Sequence, residues 1–298
     1  MTHPTARRRR ATLLLVLLSL VILTLPVLRT FLTNALLFHP TAGQDATPAD
    51  IGLSYEEHWF TSEDGTRTQG WWIPQQGPAS ERLNVTILLF HGNAGSISHR
   101  LEFHRQLHRL GVSLMCVEYR GYGDSEGCPT EDGIAMDARA AYSATRALAD
   151  ARGDRLIVHG RSLGGAVAIR LASERQVDGL IAESTFTSLE EMAERSGIPF
   201  AKYLVAYDFP SIDRISDVDA PIFLIHGQDD ALIPISMGQR LRDASNHDDH
   251  APEWLSVPHG THNDTWIRAG RTYWQRIDTW LRRIVSPGPP RSEAVEVP

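Results

Sequence analysis

The chain has 298 residues, of which 42% are hydrophobic and 22% are charged, and its formal net charge is −7. This length accommodates one large α/β domain with a single core. The negative charge and the absence of a basic face argue against nucleic acid as a partner, because phosphates are neutralised by Lys and Arg. Composition predicts no particular oligomeric state.

The N-terminus combines four arginines, at positions 7–10, with the uncharged and mostly aliphatic residues 11–28. About 18 such residues approach the length that spans a bilayer. We therefore predict a basic cytoplasmic N-terminus (1–10) and a transmembrane signal anchor (11–33), since arginines remain on the cytoplasmic side. The following domain is then expected in the periplasm or outside the cell. The alternatives are a cleaved signal peptide, which gives a secreted protein, and a buried helix.

Turn-forming polar residues at 34–50 predict a linker, residues 51–285 predict the folded domain, and the proline-rich residues 286–298 predict a disordered tail. Apolar runs predict strands at 54–60, 67–73, 85–91, 112–118, 155–159, 179–183, 220–226 and 253–257. Helical spacing predicts helices at 97–110, 131–151, 163–175, 235–246 and 264–285. This alternation predicts an α/β fold with a mostly parallel sheet, helices on both faces and an antiparallel first hairpin.

Residues 160–164 read Gly-Arg-Ser-Leu-Gly, the G-x-S-x-G pattern, between a predicted strand and a predicted helix. That context places a nucleophilic serine, here Ser162, on a sharp turn at the top of a sheet. Glycines two residues away permit the turn because they carry no Cβ. The backbone N–H groups of Leu163 and of Asn93, in the Gly-rich loop 91–95, are the predicted oxyanion-hole donors.

An acid and a histidine follow the serine in the expected order. Asp229 and Asp230 come directly after a strand, and the usual pattern H-G-x-x-D-x-x-V-P favours Asp230 as the acid, with Asp229 as a turn or capping residue. Three histidines flank the last strand: His250, His259 and His262. His262 is favoured because it lies in a glycine-containing loop just before a helix, and His259 is the alternative.

Other reactive side chains have structural interpretations. His104 and its helical neighbours predict an exposed or half-buried helix face, and no pair of histidines has the H-E-x-x-H spacing, so no metal and no cofactor are predicted. Cys116 is expected as a small buried residue in a strand, and Cys128 lies in the following loop. A disulfide between them is a less favoured alternative, and a cysteine nucleophile is not supported.

Residues 188–219 have an irregular pattern and are predicted to form a cap over the site. Apolar residues such as Phe200 and Tyr203 are mixed with charges in this segment. Two interpretations stay open. The apolar side chains line an acyl pocket, or they pack the short cap helices onto the sheet.

Five segments occur together and in order: 91–95, 119–127, 160–165, 183–188 and 260–265. As a set they resemble the membrane-anchored α/β-hydrolase family that includes the bud-emergence (Bem-type) hydrolases and is related to acyl-protein thioesterases and monoacylglycerol lipases. The resemblance covers roughly residues 50–285 and departs from the family at Ser184, where asparagine is common. It implies an α/β-hydrolase fold with a short cap and a serine hydrolase activity.

We therefore expect a serine hydrolase that cleaves acyl or lipid-like esters or thioesters through Ser162, His262 and Asp230 and an acyl-enzyme. A serine peptidase or amidase of the same fold is the first alternative. A catalytically inactive, membrane-tethered binding protein is the second. The expected partners are a small-molecule or lipid-like acyl ester and, through the N-terminal helix, the membrane.

Overall fold

The computed structural model describes residues 24–78, 80, 82–245 and 251–286. The strands are β1 (His39–Pro40), β2 (Glu56–Thr61), β3 (Arg67–Ile73), β4 (Val85–Phe90), β5 (Ala94–Gly95), β6 (Ser113–Val117), β7 (Arg155–Arg161), β8 (Gly179–Glu183), β9 (Ile222–Gly227) and β10 (Glu253–Val257). The helices are α1 (residues 24–37 in its described part), α2 (Leu101–His108), α3 (Glu131–Arg152), α4 (Leu163–Glu174), α5 (Leu189–Arg195), α6 (Ser211–Arg214), α7 (Ile235–Ala244), α8 (Thr265–Ala269) and α9 (Arg271–Val285).

Eight strands form one sheet in the order β10-β9-β8-β7-β4-β6-β3-β2. Strands β4 and β6 to β10 run parallel, whereas β2 and β3 form an antiparallel hairpin at one edge. The predicted mostly parallel sheet with an antiparallel first hairpin is therefore confirmed. Phe90 of β4 lies opposite Gly160 of β7, so the loops after these two strands leave the sheet side by side.

An apolar core covers each face of the sheet. Leu88 and Val158 pack in the core beneath α3 and α4, while their neighbours Ile87 and Ile157 pack in the core beneath α2 and α9. Successive side chains of a strand point to opposite faces, so continuous apolar strands require helices on both sides. The predicted helices on both faces are confirmed.

The C-terminal helical region is divided, although the sequence predicts one helix over 264–285. Gly270 separates α8 from α9 with φ 51° and ψ −125°, a conformation that glycine adopts readily because it has no Cβ. The cap contains only short helices, α5 and α6, joined by irregular chain and single 3-10 turns.

Two histidines of α2 are more buried than the sequence suggests. His104 and His108 are both buried, and the Nε2 atom of His108 lies 3.0 Å from the carbonyl oxygen of Pro74, which supplies a partner inside the domain. Cys116 is buried in β6, as expected, and Cys128 is exposed. The two cysteines are not bonded to each other.

Most of the predicted anchor lies outside the described residues, because the description begins at residue 24. The basic residues 1–10 and the tail beyond residue 286 also lie outside it. Within the described ranges, no helix combines the length and the apolar character needed to cross a bilayer.

Part of the predicted linker 34–50 is packed against the domain. Phe38 is buried in the core beneath α3 and α4. Strand β1 pairs in parallel with β5, and the Nε2 atom of Gln44 donates to Oε1 of Glu118 at 2.8 Å. The sequence does not reveal this because a two-residue strand has no periodicity. The packed chain therefore begins before the predicted boundary at residue 51.

Candidate active site

Ser162 occupies the turn between β7 and α4, with φ 55° and ψ −121°. A positive φ strains a non-glycine residue, and such strain is concentrated at functional sites. Its backbone N–H donates to the carbonyl oxygen of Glu183 in the neighbouring strand at 2.9 Å, which holds the turn on the sheet. A Cβ on Gly160 would lie 1.9 Å from the carbonyl oxygen of Gly164, so the first glycine of the motif is required by space.

Three side chains from separate loops form one hydrogen-bonded chain. His262 Nδ1 lies 2.8 Å from Oδ2 of Asp230, and His262 Nε2 lies 3.0 Å from Oγ of Ser162. A carboxylate only accepts hydrogen bonds, so Nδ1 is the donor to Asp230 and Nε2 is left to accept from the serine hydroxyl. The structure thus brings together the three residues that the sequence singles out.

Asp230 is fixed from the side opposite His262. Its Oδ1 accepts from the backbone N–H groups of Leu232 at 3.0 Å and Ile233 at 2.8 Å, and its side chain is fully buried. Asp229 instead faces solvent and lies 3.3 Å from the exposed His259. The two alternative residues therefore pair with each other away from Ser162, and His250 lies outside the described residues.

The loop after β4 runs beside Ser162. A Cβ on Gly92 would lie 3.5 Å from that of Ser162, so the loop backbone is in close contact with the nucleophile. The carbonyl oxygen of Asn93 accepts from the N–H of His39 at 3.0 Å and from the hydroxyl of Tyr122 at 2.7 Å. Leu163 is the first residue of α4, where N–H groups have no intrahelical partner. The residues predicted as oxyanion donors thus flank the serine.

Two tyrosines that sequence analysis did not single out fix this loop. The hydroxyl of Tyr119 donates to the carbonyl oxygen of His91 at 2.7 Å, as that of Tyr122 does to Asn93. His91 Nε2 also lies 3.0 Å from Oε2 of the buried Glu118. The signal available in the sequence was the segment 119–127, in which these tyrosines accompany the turn-forming glycines.

Glu183 connects the nucleophile turn (residues 160–164) to the loop that carries His262 (residues 258–264, the histidine loop). Its buried carboxylate accepts from the hydroxyls of Thr265 and of Tyr273, the latter at 2.6 Å. Burial raises the pKa of Glu183, but His159, Arg161 and Thr265 together outweigh burial and lower this pKa to about 2. The signal available in the sequence was the segment 183–188, which begins with this glutamate, but the segment does not reveal which partners the carboxylate has.

Ser162 opens into a small cleft of about 130 Å³, and a larger pocket of about 480 Å³ adjoins it. The cleft is lined by the loop after β4, the nucleophile turn, the histidine loop and Leu232. Among the described residues, no cap residue lines either space. Phe200 and Tyr203 of the cap are 77% and 63% exposed, so the interpretation in which the cap lines an acyl pocket is not supported.

Comparison with known sequences shows that this chain is similar to hydrolases. A family model described as serine aminopeptidase S33 matches residues 82–211. The chain is 35% identical over 247 residues to the α/β hydrolase domain-containing protein WAV2 of Arabidopsis thaliana, which covers 77% of this chain and 79% of that protein. It is 29% identical over 243 residues to the protein bem46 of Schizosaccharomyces pombe, which covers 79% of each.

Solved structures share the fold at lower identity. An esterase of Pyrococcus furiosus, Pf2001, superposes with a TM-score of 0.70 at 22% identity and covers 84% of this chain and 98% of its own. A puromycin-hydrolyzing peptidase of Mycobacterium tuberculosis has a TM-score of 0.60 at 16% identity and covers 80% of this chain and 40% of its own. These likenesses establish the fold.

The substitution Glu183→Gln tests the buried connection between the two loops. It removes one member of a buried charged network, and we expect the free energy of unfolding to fall by about 3 kcal/mol. The half-exposed Glu174, which pairs with Arg170 at 3.0 Å, is the matched control, and Glu174→Gln should cost less than about 1 kcal/mol. Denaturant unfolding of both variants measures these differences.

The difference in stability between the wild type and Glu183→Gln is also expected to depend on pH. The pKa of Glu183 is about 2 in the folded protein and 4.5 ordinarily, so its stabilising contribution is complete above 4.5 and is lost as pH falls towards 2. The stability difference between the wild type and Glu183→Gln should therefore be constant above about pH 5.5 and shrink below about pH 4.5. A difference that does not vary with pH would show that Glu183 does not act as an ionised group.

Proposed function

The chain belongs to the α/β-hydrolase family, and from this premise we propose that it is a serine hydrolase whose catalytic triad is Ser162, His262 and Asp230. The observation that carries the proposal is the unbroken chain of hydrogen bonds, 3.0 Å from Ser162 to His262 and 2.8 Å from His262 to Asp230. A hydroxyl that donates to an imidazole oriented by a carboxylate is the arrangement of an activated nucleophile.

In the proposed mechanism, Oγ of Ser162 attacks the substrate carbonyl carbon while its proton passes to Nε2 of His262. Asp230 accepts from Nδ1 and stabilises the imidazolium that forms. The tetrahedral intermediate then collapses, the bond to the leaving group breaks, and His262 returns the proton to that group. A water molecule, deprotonated by His262, attacks the acyl-enzyme. The bond between the acyl carbon and Oγ of Ser162 then breaks, His262 returns the proton to Oγ, and the acid is released.

The negative charge of the intermediate requires donors fixed beforehand. We propose the backbone N–H groups of Asn93 and Leu163 for this role. Support comes from the position of Leu163 at the first turn of α4 and from the bonds that Tyr122 and His39 make to the Asn93 carbonyl, which fix that peptide. Loss of one such donor typically lowers kcat about 100- to 1000-fold.

Carboxylic esters or thioesters with an apolar acyl group are the proposed substrates. Leu232 borders the cleft beside Ser162, and Phe103 and Trp266 line the adjoining pocket, so an acyl chain that extends from the cleft into the pocket has apolar contacts. The second candidate is a serine peptidase or amidase. The description of the matching family model, serine aminopeptidase, favours that candidate.

Matched substrates distinguish these activities. We expect 4-nitrophenyl butyrate and a butyryl thioester to be hydrolysed, and butyryl 4-nitroanilide to react far more slowly. Ser162→Ala should lower the ester rate by about 10⁴- to 10⁶-fold, because the acyl-enzyme cannot form. Preferred hydrolysis of the anilide would establish the amidase instead. Absence of turnover with all three substrates would favour a binding protein.

The choice between the adjacent aspartates is a second kinetic test. Asp230→Asn should lower kcat about 10⁴-fold, because an amide does not hold the imidazole in the required tautomer. Asp229→Asn is the matched control and should leave kcat within about threefold of the wild type, because Asp229 is exposed and faces His259. The reverse ranking in kcat would assign the triad acid to Asp229.

We further propose that a helix within residues 11–33 anchors the protein in a membrane, with the N-terminus in the cytoplasm and the hydrolase domain on the other side. The lipid-embedded part ends before Arg29, because Arg29 donates to the cap carbonyl of Val205 and the hydroxyl oxygen of Thr33 accepts from the cap N–H of Ala206. Support comes from the exposed apolar side chains of α1 that precede Arg29, such as Val27 at 69% exposure.

Membrane fractionation tests this placement. The full chain should remain in the membrane pellet after an alkaline carbonate wash, and protease added outside intact spheroplasts should digest the hydrolase domain. A domain released by the wash contradicts the anchor, a mature N-terminus near residue 36 indicates a cleaved signal peptide, and complete protection from protease reverses the topology.

A further inference from the structure

Two arginines lie between the cleft that contains Ser162 and the larger adjoining pocket. Arg100 and Arg161 line both spaces, together with parts of the loop after β4 and with Asn263. The cleft also contains Ser162 and His262, so both guanidinium groups border the volume in which an ester reacts. None of the proposed catalytic steps uses either of them.

Arg100 ends a 3-10 turn just before α2 and is half-buried. Its Nη2 donates to the backbone carbonyl of Ala94 at 2.7 Å, and within the described part of the chain it forms no ion pair with a carboxylate. Arg161, at the end of β7, donates to the carbonyl oxygen of His262, and its Nε lies 3.9 Å from Glu183. Arg161 therefore shares its charge with the buried Glu183, whereas Arg100 has no carboxylate within ion-pair distance among the described residues.

Holding these two cations together has an electrostatic cost. Burial, followed by repulsion from Arg161, lowers the pKa of Arg100 below its usual value. Like charges brought together in a partly desolvated site destabilise each other, and an anion placed between them removes the repulsion. The arrangement is therefore more favourable with a negatively charged ligand than without one.

The other titratable groups of the pocket do not supply that negative charge. Burial and the neighbouring Arg100 lower the pKa of His104 to about 3, so its imidazole is neutral at physiological pH. Glu102, whose side chain is 44% exposed, accepts hydrogen bonds from Gln106 at 2.7 Å and from Arg105. The carboxylate of the pocket lining is thus paired with Arg105, and Glu118, outside that lining, offsets the effects of burial and Arg161 on the pKa of Arg100 only in part.

We propose that Arg100 and Arg161 bind an anionic oxyacid group of the substrate, a carboxylate or a phosphate monoester, adjacent to the ester that Ser162 attacks. Guanidinium groups present paired N–H donors that match the oxygens of such groups. This inference rests on the proposed hydrolase function and narrows it. The preferred substrate is a negatively charged acyl ester, and neutral esters are poorer substrates.

Pairs of esters that differ by one anionic group test the proposal. In the first set, 4-nitrophenyl butyrate is the neutral ester, mono-4-nitrophenyl glutarate carries a carboxylate on the acyl side, and 3-carboxy-4-nitrophenyl butyrate carries one on the leaving group. In the second set, 1-butyrylglycerol is compared with 1-butyrylglycerol 3-phosphate. After correction for spontaneous hydrolysis, at least one anionic ester should exceed its neutral partner in kcat/KM roughly 10- to 100-fold.

The substitution Arg100→Gln should abolish this preference, and Arg100→Lys should keep part of it because the charge remains. Arg109→Gln is the control, since Arg109 is an exposed arginine at the end of α2 that lines neither space. A purely structural role of the Arg100–Ala94 bond would instead lower the rates of neutral and anionic esters equally. That result, or equal kcat/KM for anionic and neutral esters in the wild type, would overturn the proposal.

A binding measurement separates this inference from the proposed hydrolysis. Titration calorimetry of glycerol 3-phosphate into Ser162→Ala should give binding that is lost in Ser162→Ala/Arg100→Gln and kept in Ser162→Ala/Arg109→Gln. Binding that depends on Arg100, without turnover of any ester, would retain the anion site and reject the hydrolase. Ester turnover with no Arg100-dependent preference and no binding would reject the anion site alone.

Discussion

The candidate site depends on the end of β8, where Glu183 connects the nucleophile turn, which carries Ser162, to the histidine loop, which carries His262. Its backbone carbonyl accepts from the N–H of Ser162, and its buried carboxylate accepts from Thr265, three residues after His262. A buried carboxylate is stable only when its oxygens are bonded, so the two loops are held together by the need to satisfy one charge. This constraint holds the loops that carry Ser162 and His262 next to each other, where the two side chains are 3.0 Å apart.

A second constraint acts on the loop after β4. Tyr119 and Tyr122 hold two of its carbonyls, and β1 pairs with its end, so the peptide of Asn93 is fixed from several sides. The chain that forms β1 directly follows α1, which itself contacts the cap through Arg29 and Thr33. The segment next to the proposed anchor therefore belongs to the support of the active site. Attachment to a membrane and catalysis would share the same structural element.

Local patterns in the sequence were sufficient to predict the sheet, the nucleophile turn and the order in which the three candidate residues occur along the chain. Gly160 illustrates why, because its lack of a Cβ is required by a contact within the same short turn. Interactions distant in sequence were not accessible in this way. The pairing of β1, the burial of His104 and the bonds of Glu183 depend on partners tens of residues away, and no periodicity encodes them. The cap is another example, because the sequence pattern alone did not indicate that Phe200 faces solvent.

Ser162, activated by its hydrogen bond to His262, is the proposed nucleophile. Mass spectrometry after treatment with a fluorophosphonate tests this assignment, because such probes bond covalently to an activated serine. We expect one adduct per chain, located on the peptide that contains Ser162 and absent when His262 is replaced by alanine. An adduct on another serine, such as the buried Ser184, or an unmodified chain under conditions that label a control esterase, would contradict it.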